Sequence, residues 1–247
     1  MRIAVLTDLH ANVHALRAIL AETRHLGVDL LVHTGDAIDL GPSPAETLDL
    51  LAEHRVVCVV GNHDAPLVHG VPPGLPPAEA DHYHWTHAQL GVAHRAFVAG
   101  WPWRVDLSVG DVHCRFMHYA LPARPTHTAT VDTNPFLPPP PVSTGAAFDA
   151  AFPPPVAGGA NLVFHGHTHR PTDVVGLSRH LSPGPAGLGG RGEAPFLLLT
   201  LSPGSHTIER YVAAYDPAPL RQALAARPIP DRANIMKLFH AGLAPID

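Results

Sequence analysis

Lysine is nearly missing from this chain of 247 residues: Lys237 is the sole lysine among 16 basic residues. With abundant alanine, proline and glycine, that bias points to a GC-rich bacterial genome and carries no chemistry of its own. Cysteine is almost as scarce. Cys58 and Cys114 each sit inside an apolar, strand-like run, which predicts two reduced core thiols in an intracellular compartment and excludes a disulfide framework. Positive charge is in deficit. Sixteen Lys and Arg against 21 Asp and Glu leave a net charge of −5, the wrong balance for a general nucleic-acid binder. Long apolar runs are missing too; none approaches the ~18–20 residues of a membrane span. The apolar start, Met1–Leu6, is cut short by Asp8 and His10, so no signal peptide is expected and the chain is placed in the cytoplasm.

What remains is an ordinary globular composition, 46% hydrophobic and 15% charged. The length suits one domain over 1–247, large enough to bury a core. Periodicity supplies the elements. Arg2–Leu6 reads as a buried strand. Val13, Leu16, Ile19, Leu20, Thr23 and Leu26 follow at helical spacing, with Asn12 as N-cap and Gly27 as stop. Asp29–His33 reads as a second strand, Pro44–His54 as a helix and Arg55–Val60 as a third strand. This alternation predicts a right-handed α/β arrangement with a mostly parallel sheet. Later strands are expected at His113–Met117 and Asn161–Phe164. Phe196–Leu201 and Thr207–Tyr215 form an antiparallel pair around the Ser202–Ser205 turn. Helices are expected at Ala218–Ala226 and Asp231–Ala241. Between His118 and the next motif lies a long Pro-rich excursion, about 120–159, readable as a cover over a site or as a plain insertion.

Short polar motifs follow the strands. Asp8 and His10 come after the first, Gly35-Asp36 after the second, and Gly61-Asn62-His63-Asp64 after the third. His118 ends one later strand, and Gly166-His167-Thr168-His169 ends another. In open α/β sheets ligands bind at the carboxyl ends of strands, so three of these loops converge. Asp supplies a hard anionic oxygen and His a borderline nitrogen, a mixture suited to Mn, Fe, Zn or Ni. An Asn oxygen makes sense as a neutral member of a shell rich in charge. Asp64 is placed to hold the His63 ring in one tautomer. Singly, each residue also has a bland reading: a turn aspartate, a satisfied histidine, a capping asparagine.

Taken in order, Asp8-x-His10, Gly35-Asp36, Gly61-Asn62-His63-Asp64, His118 and Gly166-His167-x-His169 strongly resemble the calcineurin-like metallophosphoesterases. The stretches Gly35–Pro42 and Leu181–Pro185 resemble its small bacterial predicted-phosphoesterase branch. The resemblance implies an α/β fold, a four-layer αββα sandwich of two mixed sheets flanked by helices. It implies two divalent ions, with Mn foremost and Fe, Zn, Ni or Co as alternatives. One ion would take Asp8, His10, Asp36 and His169; the other would take Asp36, Asn62, His118 and His167. It further implies hydrolysis of a small phosphate ester by in-line attack of a metal-bridging hydroxide. His63 would assist the leaving group, with Asp64 behind it.

Phosphodiesters, cyclic nucleotides included, are favoured over monoesters because no dedicated monoester dianion pocket is apparent. Phosphomonoester or phosphoprotein hydrolysis is the alternative. The phosphate-gripping arginine of eukaryotic-type Ser/Thr phosphatases is absent, since Leu40 stands in its place. A dead-site scaffold is disfavoured by the full ligand set, and a nuclease by the charge. Tyr119 replaces a glycine common in relatives and is a candidate to narrow the pocket. Asn12 and Arg170 flank motifs and are candidate substrate contacts, with capping and surface roles as their other readings. His165 is placed outside the ligand set. A small phosphate-ester substrate is the expected partner, with no membrane, no strong nucleic-acid signal, and a homo-oligomer left open.

Overall fold

The computed structural model describes residues 1–121, 144–156 and 160–243. Two five-stranded sheets organise them. The first contains β1 (Arg2–Leu6), β2 (Leu30–His33), β3 (Val57–Cys58), β9 (Glu193–Ser202) and β10 (Ser205–Ala214), in the order β10-β9-β1-β2-β3. The second contains β4 (Arg104–Val109), β5 (Val112–Met117), β6 (Ala160–Phe164), β7 (Thr172–Val175) and β8 (Arg179–Ser182), in the order β4-β5-β6-β8-β7.

The two-residue period of the strands decides the layering. Ile3 and Val5 of β1 pack with Phe116 of β5, Leu162 and Phe164 of β6, and Leu197 and Leu199 of β9, in a core between the sheets. The alternate residues Ala4, Leu6 and Phe196 face the other way, onto Leu16 and Ile19 of α1 (Val13–His25) and Leu48 and Leu51 of α2 (Pro44–Glu53). On the far side, Met117 and Val163 pack against Phe148 of α6 (Gly145–Ala151). Helix, sheet, sheet and helix thus stack in four layers.

The first sheet is mixed, as the resemblance implies: β1, β2 and β3 are parallel, but β9 runs antiparallel to β1 and to β10. Other expectations need correction. The third strand is only Val57–Cys58. Beyond it the chain leaves the ladder, and Val60 N donates to Pro102 O at 3.0 Å. That exit delivers Gly61 and Asn62 to the sheet edge. Helices α3 (Ala65–His69), α4 (Pro77–Ala88) and α5 (Val92–Ala99) were not read from the sequence. The buried side of α4 is His82, Tyr83 and Thr86, so it carries no apolar stripe to read. Strands β4, β7 and β8 were also missed. Two helices close the described chain, α7 (Ala218–Ala226) and α8 (Arg232–Phe239). Of the expected cover, α6 is described, while 122–143 and 157–159 lie outside the described residues. Cys58 and Cys114 are free and buried. Among the described residues, no helix is long and apolar enough to cross a membrane.

Candidate metal centre and active site

All five motifs lie past the carboxyl ends of parallel strands. β1, β2 and β3 share one direction in the first sheet, and β5 and β6 share one in the second. The sheets are tied together here: Gly166 N donates to His118 O at 3.1 Å, and His118 Nδ1 donates to Thr34 O at 2.8 Å. The backbone bends sharply around the site. Of ten non-glycine residues with left-handed φ among those described, five are Asp8, His10, Asp36, His167 and His169. Such conformations persist only where the surroundings impose them. The motif glycines leave room. Gly35 has φ +96° with the His118 ring 2.7 Å from where a Cβ would stand, and a Cβ at Gly61 would strike Asp36.

Two groups of side chains result. Asp8, His10, Asp36 and His169 present donor atoms within 4.8 Å of one another, as do Asp36, His118 and His167. Asp36 belongs to both. Asn62 joins the second group, its Oδ1 lying 2.8 Å from His167 Nδ1 and 3.1 Å from His118 Nε2. In the first, His10 Nε2 faces His169 Nε2 at 3.1 Å, and His169 Nε2 lies 3.6 Å from Asp8 Oδ1. His118 Nε2 lies 3.1 Å from Asp36 Oδ2. With His118 Nδ1 committed to Thr34 O, Nε2 faces the group, the usual way a ligand histidine is oriented.

The donor set fits divalent cations. Asp8 Oδ2 and Asp36 Oδ2 are buried carboxylate oxygens without a hydrogen-bond donor in line, a costly arrangement unless a cation answers it. The protonation equilibria carry the same imprint. Burial is the largest influence on Asp8 and pushes it up to about 7, helped by repulsion from Asp36. Burial opposes ionisation of Asp36 as well, but His118, His63 and His10 outweigh it and hold that carboxyl well below its usual range. Burial pushes His167 down to about 3 and His169 to about 4, so both rings are neutral donors at pH 7.

His63 stands beside the first group, its ring 5.1 Å from that of His10. Asp64 is not the residue that holds it, contrary to the sequence expectation. Both Asp64 oxygens are consumed by backbone N–H groups of Asp36 (2.8 Å), Ala37 (2.9 Å), Ile38 (3.2 Å) and Gly61 (2.9 Å). Asp64 therefore knots two ligand loops together. The partner of His63 is Asp39, whose Oδ2 accepts from His63 Nδ1 at 2.6 Å. Asp39 is itself buried, with His82 Nε2 2.8 Å from Oδ1 and Thr86 Oγ1 donating to the same oxygen at 3.1 Å. Burial works against charge on His63, but Asp36 and Asp39 overcome it and push the imidazole up to about 9. The one sequence signal for Asp39 was its place three residues past Asp36 in the same loop. His82 had none, because it arrives from α4.

The other named residues divide. Asn12 is buried and fully occupied: Oδ1 accepts from Ala15 N at 3.2 Å, and Nδ2 donates to Gly187 O at 2.8 Å and Tyr215 Oη at 3.0 Å. The substrate-contact reading of Asn12 is corrected to a helix cap. Tyr119 is half-buried, its ring 3.8 Å from the His167 ring in an edge-on contact. Arg170 is exposed next to His169. His165 is buried against Phe152, ring centroids 5.0 Å apart, and belongs to neither group.

Residues 1–204 match the calcineurin-like phosphoesterase superfamily domain. The chain belongs to this superfamily. Its fold is similar to that of a metallophosphoesterase from Sphaerobacter thermophilus, with TM-score 0.68 and 23% identity over 96% of this chain and 98% of that one. It is also similar to a hypothetical protein from Pyrococcus horikoshii OT3, with TM-score 0.74 and 20% identity over 98% and 99% of the two chains. An uncharacterized protein of Methanocaldococcus jannaschii is 37% identical over 62 residues, 25% of this chain and 26% of that protein. The match thus spans about a quarter of the length of that curated relative.

Proposed function

We propose that this protein is a two-metal phosphoesterase acting on small phosphate esters, with phosphodiesters preferred. The observation that carries this reading is the pair of ligand groups sharing Asp36, with His63 set beside them on Asp39. Divalent cations held by these residues would neutralise phosphoryl charge and bring the pKa of water toward ~7. Asp36, common to both groups, would keep the two ions adjacent. Asp39 holds the Nδ1 proton of His63, which leaves Nε2 to deliver a proton to the departing oxygen. General acid catalysis of that kind contributes typically ~10²–10⁴-fold. The sequence offers no dedicated pocket for a monoester dianion, which favours a singly charged diester.

The test is turnover of bis-p-nitrophenyl phosphate and p-nitrophenyl phosphate by chelator-stripped protein reloaded with Mn, Ni, Zn, Co or Mg. Reloading is expected to restore hydrolysis, the diester faster, with about two ions bound per chain. Asp36→Asn is expected to abolish turnover and ion binding together. No turnover with any ion would sink the reading.

A further inference from the structure

A cleft of about 310 Å³ opens beside His63, between α4 and α8, with Asp39 and His82 also in its lining. This is the small end of the range for ligand pockets, room for one ring-sized group. It borders the metal-ligand cluster directly, because Phe239 in its wall lies edge-on to His169 with centroids 5.8 Å apart. Tyr119 borders the other group, at His167. Much of the wall comes from α8, which lies beyond the residues 1–204 that match the family.

Its chemistry is lopsided. Leu40, Ile235, Leu238 and Phe239 supply apolar surface, and Leu238 is 68% exposed. Glu79, Asp231 and Asp39 supply three carboxylates against the imidazoles of His63 and His82, and no lysine or arginine lines it. Such walls accept an apolar body with a neutral or cationic tip and repel an anion. We propose that this cleft seats the leaving alcohol of the substrate. The substrate class is then a phosphodiester whose leaving alcohol is ring-sized and apolar, carries an ammonium or no charge, and bears no second phosphate. This rests on the phosphoesterase reading above: His63 reaches the departing oxygen, so the group attached to that oxygen must lie on the His63 side.

The test uses two methyl phosphodiesters whose leaving phenols have closely matched acidity, 4-(aminomethyl)phenol and 4-hydroxybenzenesulfonate. The ammonium ester is expected to show a roughly tenfold higher kcat/KM, the scale set by two partly exposed carboxylates. Glu79→Lys is expected to narrow or invert that ratio. The two phenols are also measured as ligands of the metal-stripped protein by saturation-transfer NMR, where the cationic phenol is expected to bind and the sulfonate not. Equal kcat/KM for the two esters, unmoved by Glu79→Lys, overturns the cleft assignment and leaves the phosphoesterase reading standing. Charge-selective phenol binding without ester turnover upholds the cleft and overturns that reading. Neither binding nor turnover overturns both.

Discussion

Asp39 and Asp64 are both buried aspartates within reach of the Gly-Asn-His-Asp loop, yet they do different work. Asp39 spends an oxygen on the His63 ring, whereas Asp64 spends both on backbone N–H groups. Their substitutions should separate accordingly. Asp39→Asn removes one of the two charges, with Asp36, that keep His63 protonated, but leaves the ligand groups alone. It is expected to lower kcat by about 10–100-fold, most for esters with poor leaving groups, with ion content unchanged. Ion content measured by plasma emission alongside a leaving-group series checks this, and a uniform loss across leaving groups would refute it. Asp64→Asn turns an amide toward N–H donors that need an acceptor. It is expected to cost about 2–3 kcal/mol of stability and to weaken ion binding. Urea unfolding of the metal-stripped protein reads the first, and ion titration the second. The sequence expectation gave the Asp39 role to Asp64 because adjacency in the chain suggested contact. Contact was decided by the direction each loop takes.

At the scale of elements, α6 shows how the described part of the 120–159 excursion is moored. Asp149 on that helix accepts from Leu177 N at 2.6 Å and Ser178 N at 3.1 Å, and lies 2.9 Å from His180 Nε2 on β8. His180 is buried, so losing this partner leaves a polar ring unsatisfied. Asp149→Ala is expected to destabilise the protein by about 2 kcal/mol. Hydrogen exchange is expected to quicken in α6 and the β7–β8 turn, while β1 and β9 keep their protection. Uniform acceleration across both sheets would show that α6 is no separable unit. Strand existence was legible wherever an apolar run with β-branched members stood alone, as in β1 and β6. Lengths were less legible, because β3 ends where its neighbours end. Helix α4 was illegible, since it buries a histidine, a tyrosine and a threonine around Asp39 rather than an apolar stripe.

For the whole molecule, buried neutral imidazoles set the response to acid. His33 and His240 are fully buried, with neither ring nitrogen partnered among the described residues, and burial pushes their pKa from 6.5 down to about 3 and about 4. Folded values below the unfolded value mean that the unfolded chain takes up protons first. The stability these two histidines contribute is fullest above about pH 6.5 and falls as pH drops toward 4, by about 1.4 kcal/mol per unit for each group. Urea unfolding of the chelator-stripped protein at pH 7, 6 and 5 measures the slope without the confounding loss of ions. His240→Leu is expected to make it shallower by about one proton. An unchanged slope would mean that His240 gains a partner in solution.

The sequence by itself determined which atoms are available for chemistry. Asp8, His10, Asp36, Asn62, His118, His167 and His169 are recognisable because ligand types recur after strands, and strands declare themselves through short apolar runs. It also implied the sandwich, through five ordered motifs that resemble those of the metallophosphoesterases. Tertiary structure alone decided who touches whom. It set Asp39 rather than Asp64 on His63, closed Asn12 inside the fold, and brought α4 and α8 together over a cleft from positions about 150 residues apart in the chain. The physical reason is that element formation is a local matter of periodicity and caps. Side-chain contact across loops depends on left-handed turns and on packing between distant segments, which no short stretch of sequence encodes.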